Sequence, residues 1–328
     1  MRRVPYGDPD AVRLWEAMWS EIVERYGGDP GYVQLPSDGL VTILVGYAGD
    51  APVATVAVRF KAYGSWPPLA EIKRLYVGPE HRKNGFSRIL MGAAEDAARR
   101  AGATRIILET GTEQPEALAL YRAIGYGEIA PYGEFSHDPR SRCFAKDLPT
   151  RVLVVSGTMG AGKSAVASAI GDLLGERGAR YAWIDADALC QAGPVDADDP
   201  YNQRLLFDAL GGAAPAFRSR GLGQVVVARV VEDPADRDRY SRAFRSDGGA
   251  AEVTIVRVTA SEAVRFARLD AREPEGPWRD FARARTVELE DALVANDLDD
   301  FVFDNDGRAA AETAAAVVGT LGWGSETL

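Results

Sequence analysis

The stretch from Val152 to Ser164, VLVVSGTMGAGKS, constrains this chain more than any other. An apolar run of strand length leads into Gly157-x-x-x-x-Gly162-Lys163-Ser164, and an alanine-rich helical run follows. Glycines at that spacing let backbone N–H groups turn inward around a polyphosphate. The helix behind them adds the partial positive charge of its N-terminus. The cradle comprises Gly157, Met159, Gly160, Ala161, Gly162, Lys163, Ser164 and Ala165. Lys163 is placed to reach the outer phosphates, and the Ser164 hydroxyl suits Mg²⁺. Lys163 is also the only lysine from Arg151 to Leu328. A lysine kept against that bias marks a position needing a compact ammonium and not merely positive charge. The expected ligands are ATP and Mg²⁺.

A length of 328 residues suggests two domains, and 46% apolar residues suffice for two cores. No apolar run approaches the ~18 residues of a membrane span. The opening MRRVPYGDPD lacks the apolar stretch of a secretory signal. Two cysteines, Cys143 and Cys190, lie far apart, which argues for a reducing, cytoplasmic setting and against a disulfide or a cysteine zinc site. Residues 1–150 carry 18 basic and 19 acidic side chains; residues 151–328 carry 20 and 29. So acidic a chain is a poor non-specific binder of nucleic acid.

In the first half, Asp10–Tyr26 has helical apolar spacing with Asp10 as expected N-cap. Val41–Tyr47 and Pro52–Phe60 read as a hairpin, Ala70–Val77 as a strand, and Gly78–Phe86 as a loop. A helix is expected over Ser87–Ala101, with Ser87 a good N-cap, then a strand over Arg105–Thr110, a short helix over Pro115–Ile124, and two last strands. This order resembles the GNAT acetyltransferase superfamily. EIKRLYVGPEHRKNGFSRILM and EQPEALALYRAIGYGEI carry the resemblance. It implies that Arg82, Lys83, Asn84, Gly85, Phe86 and Ser87 form the loop holding the acetyl-CoA pyrophosphate, with Ser87 where the family has Gly or Ala. It implies that Leu75, Tyr76 and Val77 pair with the pantetheine arm, and that Tyr121 protonates the leaving thiolate. Removing a proton from an acceptor amine needs a base. Glu71 is the first candidate and Glu109 the second. His81 and His137 read as surface residues, and Tyr132–Pro139 lies where the family builds its acceptor pocket.

Only Lys146–Thr150 separates this region from the phosphate loop, which gives domains over 1–148 and 149–328. In the second half, strands over Tyr181–Asp185, Gly223–Val231, Glu252–Val258 and Phe301–Asp304 alternate with helices, as in a parallel sheet flanked by helices. The helix over Tyr201–Arg220 is expected to break at Gly211-Gly212. The whole resembles the P-loop kinases that include nucleoside monophosphate kinases, adenylylsulfate kinase and chloramphenicol phosphotransferase. Ala228-Arg229 stands where many P-loop proteins place a metal-side aspartate. Asp185 is therefore the expected base or metal-side group, and Asp187 the substrate-binding partner, with the roles exchangeable. This half has no histidine, so a carboxylate is the natural base. The resemblance implies that Arg268 and Arg272 bracket a lid, Arg272–Pro277, and stabilise the transferring phosphoryl group. It also implies that Asp304 and Asn305 pack the adenine ring. The acidic run Asp196–Pro200 reads as solvated surface, or as a wall of a cationic acceptor's pocket.

The expected protein is an α/β two-domain enzyme: an N-terminal GNAT fold with a mixed, mostly antiparallel sheet, and a C-terminal P-loop NTPase fold. Its expected work is acetyl transfer to an amine and phosphoryl transfer to a hydroxyl of a small molecule, such as an antibiotic or specialised metabolite. One alternative is an acetyltransferase regulated by a nucleotide-sensing P-loop domain. Another is an acetyltransferase acting on RNA or protein. The sequence does not specify an oligomeric state.

Overall fold

The computed structural model describes residues 1–28, 35, 37–62 and 69–324. The chain divides into two units, Met1–Leu148 and Pro149–Gly324.

In the first unit the strands are β1 (Arg2–Val4), β2 (Leu40–Ala48), β3 (Ala51–Lys61), β4 (Leu69–Val77), β5 (Arg105–Gly111), β6 (Gly127–Ile129) and β7 (Ser141–Asp147). They form one sheet in the order β1-β2-β3-β4-β5-β7-β6. Every pairing is antiparallel except β4 with β5. The helices are α1 (Pro9–Tyr26), α2 (Phe86–Arg100) and α3 (Pro115–Ala123). β2 and β3 are buried on both faces because helices cover both. Leu90, Met91 and Ala94 of α2 pack with Val41, Leu44, Val56 and Val58. Ala11, Leu14 and Trp15 of α1 pack with Ile43, Val45 and Ala57.

Three local expectations are corrected. The cap of α1 is Asp8, whose Oδ1 accepts from the amides of Asp10 at 2.9 Å and Ala11 at 3.3 Å. Pro9 at the first helical position fixes the start two residues earlier. Asp10 instead accepts from the Tyr47 hydroxyl at 2.8 Å. The cap of α2 is Gly85, at φ 85°, and not Ser87. The chain enters that helix through a left-handed residue, which glycine adopts at no steric cost.

The third correction lies in the second unit. Its strands β8 (Arg151–Ser156), β9 (Tyr181–Asp185), β10 (Gln224–Ala228), β11 (Glu252–Thr259) and β12 (Phe301–Asp304) form an all-parallel sheet, ordered β12-β11-β8-β10-β9. Its helices are α4 (Lys163–Glu176), α5 (Ala186–Leu189), α6 (Gln203–Ser219), α7 (Asp236–Ala243), α8 (Glu262–Arg272), α9 (Pro277–Asn296) and α10 (Ala310–Leu321). Alternate residues of the central strand β8 face opposite layers. Leu153 and Val155 meet α4 and α10, while Val152 and Val154 meet α6 and α7. α6 runs unbroken through Gly211-Gly212. Its stripe of Leu206, Leu210 and Ala214 is buried, and that packing outweighs the ~1 kcal/mol each glycine costs a helix.

Candidate active sites

The first site begins where two strands part. β4 and β5 are in register only from Ala70 opposite Ile106 to Ile72 opposite Leu108. Arg74 and Leu75 then bulge against Val56, with Arg74 at φ 57°. A bulge bends its strand, and β4 turns away while β5 stays paired with β7 as far as Gly111. Leu75, Tyr76 and Val77 lie beyond the point of separation. The gap opens a cleft lined by Ile22, Leu75, Glu109, Gln114, Tyr121 and Phe135, among others. Part of the expected acceptor segment, Glu134, Phe135 and Asp138, is on its wall.

The two candidate bases are placed differently. Glu71 is fully buried and bound to the Arg59 guanidinium at 2.7 Å and the Lys73 ammonium at 3.1 Å. It borders a smaller hollow with Lys61 and Tyr132. Glu109 borders both that hollow and the cleft. Burial pushes its pKa above the ordinary carboxylate value, against the pull of Lys73 and of Ser141, whose hydroxyl donates to it at 3.1 Å. Tyr121 is buried on the cleft wall. Its phenol is held protonated by burial and, secondarily, by the Glu109 charge. The cleft thus presents a carboxylate and a phenol, one able to accept a proton and one to give it.

Beside the cleft, Lys83 at φ 65° and Gly85 at φ 85° shape the turn into α2. Arg82 stabilises that turn from outside. Its Nε donates to the Val77 carbonyl at 2.9 Å, and its guanidinium pairs with Glu21 of α1. Glu21 also holds Arg25 at 2.6 Å, and Arg25 pairs with Glu116. Asn84, Phe86 and Ser87 complete the helix start. His81 packs edge-on against Phe86 with ring centroids 6.3 Å apart. Glu21 and Arg25 are one turn apart on α1, but sequence spacing does not show that Glu116 of α3 joins them, because that contact is made by tertiary packing.

In the second unit the parallel register brings the strand ends together. Ala228 stands beside both Val155 and Asp185, and Thr259 beside Asp304. Open α/β sheets bind ligands outside this carboxyl edge. Three loop glycines have positive φ: Gly157 at 138°, Gly160 at 79° and Gly162 at 106°. A Cβ on each would overlap, in turn, the Val258 carbonyl, the Arg265 carbonyl and the Asn305 amide. The loop is therefore a cradle only these glycines can build, and it fits a polyphosphate. The half-buried Lys163 donates to the Thr158 carbonyl at 3.1 Å. Burial lowers its pKa to about 8, with Arg272 and Arg229 adding to the lowering and Asp187 and Asp185 opposing it. These four residues therefore act on the loop lysine. Asp185 caps α5 by accepting from the Asp187 amide at 3.2 Å, and Asp187 pairs with Arg229. Met159 and Ala161 are tied down from outside the cradle. Thr286 of α9 donates to the Met159 carbonyl at 2.7 Å, and Asn305 to that of Ala161 at 2.9 Å.

Two side chains lie elsewhere than expected. Arg268 donates to the carbonyls of Gly160 at 3.2 Å, Ala161 at 3.0 Å and Asn305 at 3.1 Å. Its guanidinium is spent on the outer side of the loop, where unpaired carbonyls need donors. Asn305 is buried, its Oδ1 accepting from the Thr313 hydroxyl at 2.8 Å, so its side chain is committed to the loop and not open to a base. Arg272 is exposed and pairs with Glu273 at 2.7 Å. Among the described residues no cluster of three or more His, Cys, Asp or Glu is placed to hold a metal. Ser164 at the start of α4 and Asp185 remain the groups suited to Mg²⁺ alongside phosphate oxygens.

The unit that carries this bulged, splayed strand pair and glycine-opened helix matches, over residues 10–126, the model of the Acetyltransferase (GNAT) family. The chain is 33% identical over 108 residues to an IAA acetyltransferase of Azospirillum brasilense, covering 33% of this chain and 69% of that relative. It is 33% identical over 127 residues to streptothricin acetyltransferase of Streptomyces lavendulae, covering 38% and 61%. The chain belongs to the GNAT acetyltransferase family. A solved gluconokinase of Sinorhizobium meliloti is similar at 21% identity over 53% of this chain and 94% of its own, with a TM-score of 0.36. Among the described residues no helix is long and apolar enough to cross a membrane.

Proposed function

We propose that this chain is a bifunctional small-molecule-modifying enzyme: its first unit acetylates an amine and its second phosphorylates a hydroxyl. The observation that carries the reading is that each unit opens a helix through a positive-φ glycine, Gly85 before α2 and Gly162 before α4. Each such start is suited to anionic phosphate oxygens.

In the first unit, Lys83–Ser87 would hold the pyrophosphate of acetyl-CoA, and Leu75–Val77 its pantetheine arm. Acetyl-CoA supplies the activated acetyl thioester. Glu109, directly or through water, takes a proton from the acceptor ammonium. The freed amine attacks the carbonyl carbon, forming a C–N bond as the C–S bond breaks. Tyr121 gives its proton to the departing sulfur and regains one from the new amide nitrogen, which must lose its extra proton. Glu109 suits this role better than Glu71 because it borders the cleft and is not ion-paired to Arg59.

In the second unit, Gly157–Ala165 would hold the phosphates of ATP, with Ser164 and Asp185 beside Mg²⁺. ATP supplies the phosphoryl group. The acceptor hydroxyl loses its proton to Asp185 or Asp187, and Lys163 and Arg272 offset charge as it develops. A second reading, nucleotide sensing that regulates acetyl transfer, draws support from Ala228-Arg229 at the end of β10. The test is incubation with acetyl-CoA and ATP across a panel of amines and alcohols, read by product mass. Acetylated and phosphorylated products support the reading. ATP hydrolysis without any phosphorylated acceptor, with ATP-dependent acetylation, would replace it by the second.

A further inference from the structure

The two flanks of α9 face different neighbours. One meets α8: Arg279 and Arg283 approach Asp270, and Arg283 lies over the Phe266 ring at 4.4 Å. The other meets the end of β10 and the loop before α6. Arg285 pairs with Glu232 at 2.6 Å and lies 6.0 Å from the centre of the Tyr201 ring. Asn296 donates to the Glu232 carbonyl at 2.8 Å.

Phe281 precedes Arg285 by one turn and Trp278 by two, so both extend this second flank. At 1.5 Å of rise per residue they continue roughly 6 and 10 Å past Arg285 along the helix. They are stacked, with centroids 5.5 Å apart, yet 44% and 57% exposed. Tyr201 is 51% exposed. Its carbonyl accepts from Arg229, the same side chain that pairs with Asp187. Tyr201 thus meets the Asp187–Arg229 end of the phosphate-loop site through its carbonyl, and Trp278 and Phe281 lie further along the same flank of α9.

The neighbouring acidic loop is a poor rival for recognising an acceptor. Arg204 already pairs with Asp196 at 2.9 Å and Asp198 at 3.0 Å, and approaches Asp199 at 3.5 Å. Its carboxylates are occupied internally, which weakens their hold on a cationic ligand. The aromatic rings present faces that suit a flat or apolar body.

We infer that Tyr201, Trp278 and Phe281 form the acceptor wall of the phosphotransfer site, and that its acceptor is an alcohol carried on an aromatic or otherwise flat apolar ring. The inference rests on the phosphotransferase reading. The acceptor oxygen forms the new O–P bond, the bond from the γ-phosphorus to the β,γ-bridging oxygen breaks, ADP departs, and the hydroxyl proton passes to the Asp185–Asp187 pair.

The test uses the full chain with Mg²⁺ and ADP, and two probes that differ in one group: 4-nitrophenyl β-D-glucopyranoside and methyl β-D-glucopyranoside. Calorimetric titration should show the aromatic glucoside binding about tenfold tighter. The double variant W278A/F281A should lose that preference while its ADP affinity stays unchanged. Equal binding of the two glucosides, or a preference that survives in the double variant, overturns the wall. The phosphotransferase reading is tested separately, by substituting ATP and looking for phosphorylated alcohols. Ring-dependent binding with no phosphoryl transfer to any alcohol overturns that reading, and with it the assignment of the wall to an acceptor.

Discussion

The side-chain amide of Asn305 stands where a side chain on Gly162 would begin, and it is hydrogen-bonded to the adjoining Ala161 carbonyl. The end of β12 thus fixes the shape of a loop that leaves β8, two strands away in the sheet. Replacing Asn305 with Ala removes one of two donors to the Ala161 carbonyl, Arg268 being the other, at a cost of about 0.5–1.5 kcal/mol. We expect N305A to lower the melting temperature of the second unit while still binding nucleotide. G162A confronts both a φ of 106° and the Asn305 amide. It should abolish stabilisation by ATP·Mg²⁺ in a thermal-shift titration. Normal ATP-dependent stabilisation of G162A would show that the loop is not the nucleotide site.

Glu71 and Glu109 separate structural from chemical roles. E71Q leaves Arg59 and Lys73 beside a neutral partner in a buried setting, where breaking an ion pair costs ~3–5 kcal/mol. It should unfold the first unit at lower denaturant. E109Q should leave stability nearly intact and lower kcat for acetyl transfer by roughly 10²–10⁴-fold. Because burial raises the Glu109 pKa, the acidic limb of the kcat/KM profile should lie above the ordinary carboxylate range, with activity lost as pH falls through it. Full activity of E109Q would return the base role to Glu71.

Arg268 and Arg272, one helical turn apart, should behave differently. R268A removes the donor to Gly160, Ala161 and Asn305, so stability and ATP affinity should fall together. R272A removes only an exposed side chain paired with Glu273. It should lower phosphoryl turnover by tenfold or more with the melting temperature unchanged. Equal effects on stability would remove the distinction.

Lys163 predicts proton coupling. Its pKa is about 8 in the folded protein against 10.5 for an ordinary lysine. Between those values the unfolded chain binds more protons, so the nucleotide-free unit should gain stability as pH rises through this window. Phosphate oxygens favour the ammonium form, so ATP binding there should take up a proton. Titration in buffers of different ionisation enthalpy measures this directly, and no uptake above pH 8 would refute it.

Much of this was legible in the residues. The helix start after the Gly157–Ser164 loop, the parallel sheet and the alternation of its buried strands follow from local spacing, as does Lys163 within its loop. What was not legible is long-range and made of side chains. Nothing near Arg268 in sequence shows that it faces carbonyls 107 and 108 residues away. Nothing near Glu71 shows that Arg59 neutralises it across the β3–β4 pair. The α6 break was misjudged because two glycines advertise a local cost, while the burial that offsets it depends on the sheet beneath. The α2 cap was misjudged for the opposite reason. Serine is a good cap in general, but this turn needs a left-handed residue, and Gly85 supplies it two positions earlier.

Lys163 is the only lysine from Arg151 to Leu328, and its pKa near 8 leaves a substantial fraction as free amine close to neutrality. The second unit therefore carries one side-chain amine for an acylating reagent to find, at the floor of the phosphate loop. Incorporation of an activated ester into this unit becomes a molecular occupancy gauge. One equivalent reports an open loop, and protection by nucleotide reports a filled one, without any knowledge of what else the unit binds.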